Sequence, residues 1–110
     1  MPINSRQKGA RGEREFAKEL TKGGFPAYRG RQFRGSEDTP DVVCESLSDF
    51  HFEVKYVEAL RLDDAMKQAK RDAPNKIPVV GHKKKRQEIL ITLPLTDFLN
   101  LVKQAGYQAV

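Results

Sequence analysis

The sequence predicts an α/β fold in which helices flank a central mixed β-sheet. Segments with helical periodicity alternate along the chain with short runs of β-branched and aromatic residues, in the order α-β-β-β-α-β-β-α. The 110 residues, of which 38% are hydrophobic, correspond to one domain with one modest core. We therefore expect a single domain over residues 1–110, of which residues 1–8 form a flexible basic arm.

The first four predicted elements are one helix and three strands. Residues 9–22 are rich in Ala, Leu, Glu, Lys and Arg, which favour a helix, and the glycine pair that follows ends it. Residues 25–33 combine aromatic side chains and arginines in an alternation that is compatible with a strand. Residues 41–46, directly after a proline, predict a second strand. The strong alternation over residues 50–58 predicts the third strand.

The last four predicted elements are two strands between two helices. Apolar residues recur on one face over residues 62–73, which predicts an amphipathic helix. Residues 77–80 and 88–93 predict two strands that are joined by the basic stretch 82–86. Thr96 is a favourable N-cap residue and predicts the start of the last helix.

The charge of the chain is divided into three blocks. The net charge is +5, but residues 1–34 carry +6, residues 35–75 carry −5 and residues 76–110 carry +4. Basic flanks suit a nucleic acid or another anionic surface, whereas acidic side chains repel phosphate. The middle acids are therefore either scattered on a solvated face or brought together around a divalent cation.

Several classes of protein are excluded by composition. No apolar run approaches the length of a membrane span, and residues 1–10 do not resemble a secretion signal. Cys44 is the single cysteine, which excludes an intrachain disulfide framework and a multi-cysteine zinc site, and we expect it to be a small core residue. We therefore expect a protein of a cytoplasmic, reducing compartment with no membrane partner.

Two acids and a lysine form the first candidate site. On the strand over residues 50–58, Glu53 and Lys55 share one face with His51, while apolar and aromatic side chains fill the other face. This charged face is either solvated, with a weak ion pair, or it lies beside Asp41 at the start of the neighbouring strand. In the second case the carboxylates of Asp41 and Glu53 would hold Mg²⁺ or Mn²⁺, and Lys55 would orient water or stabilise phosphate charge.

Glu13 is the third candidate acid. On a helical wheel it lies within the apolar stripe of the first predicted helix, whereas Glu15 lies outside the stripe and Glu19 at its edge. A carboxylate on the core side of a helix needs compensation, which a shared cation would supply. The alternative is that Glu13 complements the helix dipole in the first turn and reaches water.

These residues together resemble a known nuclease family. Glu13-Arg14, the segment Gly24-Phe25-Pro26-Ala27-Tyr28-Arg29, Pro40-Asp41 and Glu53-Val54-Lys55 follow one another in the order of the PD-(D/E)XK nucleases. Within that superfamily the chain is similar to the Holliday junction resolvases of archaeal type and to their phage relatives. The resemblance covers most of the chain and implies a restriction-endonuclease-like core. The second half, from Leu62 to Leu99, looks closer to short phage versions.

The resemblance also implies a site and a cofactor. It assigns Glu13, Asp41 and Glu53 to metal binding and Lys55 to catalysis, with Mg²⁺ as the cofactor and Mn²⁺ as a substitute. It implies that Arg14 and Arg29 contact DNA phosphates. The expected set of DNA-binding residues is Arg14, Arg29, Arg31, Arg34, Ser36, Lys83, Lys84, Lys85 and Arg86.

Other polar residues have ordinary alternatives. Residues 83–86 form either a solvated hairpin turn or a phosphate clamp, and a nuclease-like site favours the clamp. The basic side of the second predicted helix, which includes Lys67 and Lys70, is equally a solvated face or a DNA contact. His51 and His82 lack the spacing of zinc ligands and are expected to be structural.

The function that these observations predict is metal-dependent, structure-specific cleavage of DNA. We expect an endonuclease that resolves four-way junctions by paired symmetric nicks in recombination and repair. Two nicks need two active sites, and a homodimer supplies them. The alternatives are a nuclease of the same fold with flap, nicking or restriction-type activity, and a non-catalytic DNA-binding module. The dimer interface is expected on the later strands or the last helix, with Phe98, Leu99, Leu101 and Val102.

Overall fold

The computed structural model describes residues 5–30 and 39–110, with side chains described for residues 9–30 and 39–110. The three helices are α1 (Ser5–Lys22), α2 (Leu62–Asp72) and α3 (Leu95–Gln104). The five strands are β1 (Tyr28–Arg29), β2 (Val42–Val43), β3 (Phe50–Lys55), β4 (Ile77–His82) and β5 (Leu90–Thr92), and a 3₁₀ turn covers Glu45–Leu47. The order of helices and strands confirms the predicted α/β fold.

The strands form one mixed sheet in the order β1-β2-β3-β4-β5. The β3 and β4 strands are parallel, and α2 connects them, whereas every other pair is antiparallel. A parallel pair requires such a crossover, and its helix lies against the sheet. The central strand β3 is therefore enclosed by neighbours on both sides.

The α1 helix covers one face of the sheet. Its residues Phe16 and Ala17 are buried against Phe52, Val54 and Val79 in the main apolar cluster. The rings of Phe16 and Phe52 lie 5.7 Å apart between centroids, within the range of favourable aromatic pairs. Alternation along β3 thus fills the predicted core face with even-numbered residues.

The opposite face of the sheet is also buried. The α2 helix packs its buried residues Ala65 and Ala69 against β3 and β4, where Val80 is fully buried. On this face of β3, His51 and Glu53 are only 1% and 2% exposed. Of the two alternatives for this charged face, solvation is therefore wrong for His51 and Glu53, because the crossover helix covers them.

Element boundaries differ from the predicted ones at the start of the chain. The α1 helix begins at Ser5, so residues 5–8 belong to the helix and not to a flexible arm. The β1 strand covers two of the residues predicted over 25–33, of which residues 31–33 lie outside the described ranges. The strand predicted over residues 41–46 is shortened to β2, because the side chain of Asp41 and the 3₁₀ turn replace its ends.

The second half differs less. The β4 strand extends beyond the predicted end to His82 and pairs with β5, which confirms the predicted hairpin. The α3 helix begins at Leu95 with Pro94 in the N-cap position, so Thr96 is not the cap. Among the described residues, no helix is both long and apolar enough to cross a bilayer.

Candidate active site

Asp41 lies directly before β2, where β2 and β3 diverge. Its backbone N–H donates to the carbonyl oxygen of Phe52 at 2.9 Å, and its Oδ2 accepts a hydrogen bond from the backbone N–H of Val54 at 2.9 Å. The side chain thus takes the place of a ladder hydrogen bond at the point where the strands diverge. These two bonds hold the buried carboxylate in a fixed position.

The other two predicted acids act on Asp41 electrostatically. Burial is the largest cause that raises the pKa of Asp41 to about 7, and the negative charges of Glu53 and Glu13 and a hydrogen bond between protonated Asp41 and the side chain of Glu53 add to it. The hydrogen bond from Val54 favours the ionised form but is outweighed. Glu53 and Glu13 therefore lie close enough to Asp41 to act on its charge, and Asp41 keeps its proton up to about pH 7 unless a cation compensates the charge.

Glu53 has one satisfied and one unsatisfied oxygen. Its Oε1 lies 3.0 Å from Nε2 of His51, whereas its buried Oε2 has no hydrogen-bond partner within the described residues. An unsatisfied buried carboxylate oxygen is unfavourable in a metal-free fold. Together with Asp41 and Glu13 it offers carboxylate oxygens, which are the ligands that Mg²⁺ and Mn²⁺ prefer. The residues present therefore fit a hard divalent cation.

Glu13 lies on the inner side of α1, as the helical wheel predicts. Its side chain is 16% exposed, and its Oε1 accepts a 2.7 Å hydrogen bond from Nε of Arg29 on β1. This charge-assisted bond compensates a carboxylate that would otherwise be poorly solvated. The same ion pair fixes the orientation of Glu13 toward the sheet.

Lys55 ends β3 on the same side of the strand as Glu53. It is half-buried, and its register partner on β4 is His82. The two residues are held on one rigid strand in the centre of the sheet, so their separation is fixed by the backbone. The predicted acid and lysine are thus both placed near the strand end at which Asp41 lies.

A basic cavity opens beside the N-terminal half of α1. It has a volume of about 310 Å³ and is lined by Arg11, Gly12, Glu15, Tyr56, Glu58, Lys83, Lys84 and Lys85. Lys83 is fixed there by an ion pair with Glu15 at 3.2 Å and by its ammonium above the ring of Tyr56. The hydroxyl oxygen of Tyr56 is buried and has no hydrogen-bond partner within the part of the chain described.

The remaining predicted residues are distributed around this centre. Arg14 is exposed on α1, and Lys84, Lys85 and Arg86 are exposed in the turn between β4 and β5. Arg31, Arg34 and Ser36 lie outside the described residues.

His82 and Cys44 have structural roles, whereas His51 contacts a residue of the candidate site. His82 makes a 2.8 Å hydrogen bond with Thr92 across the hairpin. Cys44 is buried, which confirms its prediction as a core residue. His51, in contrast, contacts Glu53, a proposed cation ligand.

Sequence reasoning missed one acidic residue near the site. Asp72, the last residue of α2, places a carboxylate oxygen within 4.8 Å of ligand atoms of His51 and Glu53. An acidic residue at the C-terminal end of a helix opposes the helix dipole. That unfavourable position is the signal in the sequence that could have drawn attention to Asp72.

Comparison with known proteins agrees with this geometry. A profile of the archaeal Holliday junction resolvase (Hjc) family matches residues 4–94. The solved structure of Hjc from Archaeoglobus fulgidus, a Holliday junction resolvase from an archaeal hyperthermophile, is similar with a TM-score of 0.60 and 29% sequence identity. That similarity covers 78% of this chain and 72% of the other. No curated protein sequence matches significantly. The chain therefore belongs to the archaeal Holliday junction resolvase family of endonucleases.

Proposed function

We propose that this Holliday junction resolvase cleaves four-way DNA with a centre in which Glu13, Asp41 and Glu53 hold Mg²⁺, or Mn²⁺ as a substitute. Lys55 is the fourth member of the centre. The observation that carries the proposal is the convergence of three carboxylates, which raises the pKa of Asp41, beside a buried oxygen of Glu53 without a partner. Such an arrangement is unfavourable without a cation and suits one with it.

The chemistry divides between the cation and the protein. A divalent cation in this position supplies Lewis-acid stabilisation of phosphate charge and lowers the pKa of water. Asp41 is held by two backbone hydrogen bonds and Glu53 by the bond to His51, so both enter the reaction already oriented. The ammonium of Lys55 stabilises negative charge on the scissile phosphate or orients the attacking water. Hydrolysis leaves 5′-phosphate and 3′-hydroxyl ends.

DNA phosphates contact the basic surface that surrounds this centre. Lys84 and Lys85 are exposed residues that line the basic cavity, Arg86 is exposed in the same turn, and Arg14 is exposed on the same helix as Glu13. Arg29 already pairs with Glu13, so we assign it to orienting that acid as well as to contact with a phosphate. We assign the same contact role to Arg31, Arg34 and Ser36 on the grounds of the sequence resemblance alone.

A homodimer provides the two active sites that paired nicks require. The α3 helix has no buried residue within this chain, and β5 is an edge strand with exposed apolar side chains. The exposed large apolar residues of these two elements, which follow one another in the chain, are Leu90, Ile91, Leu95, Phe98 and Leu99, and Tyr107 is exposed just after α3. A second copy of the chain would cover this surface by a two-fold contact. We expect the dimer to act in the cytoplasm of a bacterial, archaeal or phage-infected cell.

The test of this function uses the Asp41→Asn variant and a synthetic four-way junction with Mg²⁺. The amide keeps the size of the side chain but removes one negative ligand. We expect cleavage to fall by about 1000-fold or more, equivalent to about 4 kcal/mol of lost transition-state stabilisation, while junction binding persists. The matched control is Asp49→Asn in the exposed turn before β3, which should cleave like the parent.

Two results would contradict the proposal. An Asp41→Asn variant that cuts as fast as the parent would show that the site is wrongly assigned. Equal cutting of the junction, a flap and a linear duplex of the same sequence would show that the protein is not structure-specific. Paired symmetric nicks near the junction centre, absent from the duplex, are the expected result.

A further inference from the structure

We propose that His51 and Asp72 are positioning residues that orient Glu53 for cation binding. The inference rests on the proposed function, because it assumes that Glu53 is a cation ligand. It concerns residues outside the acids and lysine of the motif. His51 lies on β3, two residues before Glu53 and on the same face, whereas Asp72 comes from the end of α2.

The first step of the argument is the bond between His51 and Glu53. Nε2 of His51 lies 3.0 Å from Oε1 of Glu53, and the two side chains are almost completely buried. A carboxylate accepts, so Nε2 donates this hydrogen bond. The bond stops rotation of the carboxyl group and occupies Oε1. Oε2, which has no partner in the described chain, is thereby left for a cation.

The second step is the placement of Asp72. Its side chain is 8% exposed, and a carboxylate oxygen lies within 4.8 Å of the ligand atoms of His51 and Glu53. The ion pair to the neighbouring, exposed Arg71 is long, at 3.7 Å. Because the dipole of α2 disfavours an acid at this end, Asp72 does not serve the helix itself. Its carboxylate instead lies within 4.8 Å of a ring nitrogen of His51, where its negative charge attracts the ring N–H and helps to hold the imidazole against Glu53.

The third step compares the positioning role with an alternative, in which the three side chains bind a separate cation themselves. His51, Glu53 and Asp72 could themselves surround an ion. A separate site would, however, require the direct hydrogen bond between His51 and Glu53 to break. If the ligand were Oε1 of Glu53, the buried Oε2 would also remain without a partner. The observed bonding therefore favours orientation of Glu53, as is usual for carboxylates that bind metals.

The experiment measures Mn²⁺ binding to the full chain without DNA, from the electron paramagnetic resonance signal of free Mn²⁺. His51→Leu replaces the imidazole by an apolar side chain of similar size and removes the donor. His51→Gln replaces the ring N–H donor by an amide N–H donor. We expect His51→Leu to weaken Mn²⁺ binding about 10- to 100-fold and His51→Gln to restore it to within several-fold of the parent. Asp72→Asn should weaken binding about tenfold. The half-saturating Mg²⁺ concentration for junction cleavage should rise in the same order.

Three outcomes overturn the proposal. The first is a folded His51→Leu variant that binds Mn²⁺ like the parent. The second is His51→Leu and His51→Gln variants that are equally impaired, since a purely structural role would not distinguish the two. The third is unchanged Mn²⁺ binding with loss of Zn²⁺ binding, which would assign the three groups to a separate cation site. If His51→Leu does not fold, unchanged Mn²⁺ binding by Asp72→Asn overturns the role of the pair.

Glu53→Gln separates this proposal from the proposed function. If Glu53→Gln retains Mn²⁺ binding and cleavage, the proposed cation centre itself is wrong. If Glu53→Gln loses both while His51→Leu retains both, the centre stands and only the positioning role fails.

Discussion

The centre of the sheet buries polar side chains, whereas its β5 edge exposes apolar ones. On β3, His51 and Glu53 are charged or polar and are buried beneath α2. On β5 and α3, large apolar side chains such as Phe98, which is 49% exposed, face outward. Both arrangements are unfavourable for an isolated monomer in water. Each becomes favourable when a specific partner is present, a cation at the centre and a second chain at the edge.

The two regions differ in what a partner must supply to each of them. The centre needs positive charge, because burial and the negative charges of Glu53 and Glu13 both oppose the ionisation of Asp41. The edge needs an apolar surface of matching shape, because α3 contributes no buried residue within the chain. Removing charge should therefore stabilise the isolated centre, whereas adding charge should disrupt the assembled edge.

The largest expected effect is on stability at the centre. With a pKa of about 7 in the folded chain against 3.8 for the ordinary side chain, Asp41 binds a proton in the folded state over a pH range in which the unfolded chain has released it. Stability of the metal-free protein should therefore fall as the pH rises from about 4 to 7. At pH 8 Asp41→Asn should be more stable than the parent by on the order of 3 kcal/mol, measured by urea unfolding in EDTA.

The same pair of proteins provides the control. At pH 4, near or below both pKa values, the difference between Asp41→Asn and the parent should become small. Added Mg²⁺ should stabilise the parent at pH 8 and have little effect on the variant. A variant that is less stable than the parent at pH 8 in EDTA would contradict the raised pKa of Asp41.

The second effect breaks the apolar edge. Phe98→Asp places a charge in the surface that we assign to the dimer, and it should raise the dimer dissociation constant about 30- to 100-fold, or 2–3 kcal/mol. Sedimentation equilibrium measures this change. At concentrations where the variant is monomeric, junctions should receive single nicks and not paired ones.

Asn100→Asp is the matched control for the edge. It introduces the same charge on α3 at an exposed position that lies away from Phe98 around the helix. This variant should remain dimeric and should resolve junctions like the parent. If Phe98→Asp is also dimeric, the interface lies on another surface of the chain.

The comparison also explains which features the sequence could predict. The order of helices and strands followed from local periodicity, because α1, α2 and β3 each present a regular apolar stripe or alternation. The inward position of Glu13 followed from the same periodicity. The length of β2 did not, because it depends on a side chain, that of Asp41, replacing a backbone hydrogen bond to β3.

Burial of the charged face of β3 could not be predicted from the local sequence pattern, for a different reason. Alternation shows that His51 and Glu53 share a face, but it does not show what covers that face. The covering helix is set by the parallel pairing of β3 with β4, which is a tertiary feature. Asp72 reaches the site by the same crossover, so its role becomes visible only in the folded chain. Likewise, the bond between Arg29 and Glu13 joins elements that the sequence does not show to be adjacent.

The smallest expected effect concerns the basic turn after β4, where charge is exposed as it is in most soluble proteins. Lys84 and Lys85 lie at the mouth of the basic cavity, and their side chains are solvated in the free protein. Replacing both by alanine should weaken junction binding about tenfold at moderate salt. It should also reduce the slope of log K against log salt by about 0.9 for each lost phosphate contact.

A matched variant tests whether the loss of junction binding is specific to the lysines of the turn. Lys70→Ala removes an exposed lysine from α2, on the other side of the sheet from α1. A uniform field of positive charge would make all lysines equivalent. Lys70→Ala and the single variants Lys84→Ala and Lys85→Ala would then reduce the slope of log K against log salt equally, and that result would contradict a phosphate clamp in the turn. A larger loss for Lys84 and Lys85, with cleavage at saturating DNA unchanged, would place them in DNA binding and outside the cation centre. The effect is small because an exposed lysine is solvated by water and counterions when it does not contact a phosphate. The buried acids of the centre lack this solvation, so changing their charge has a larger effect.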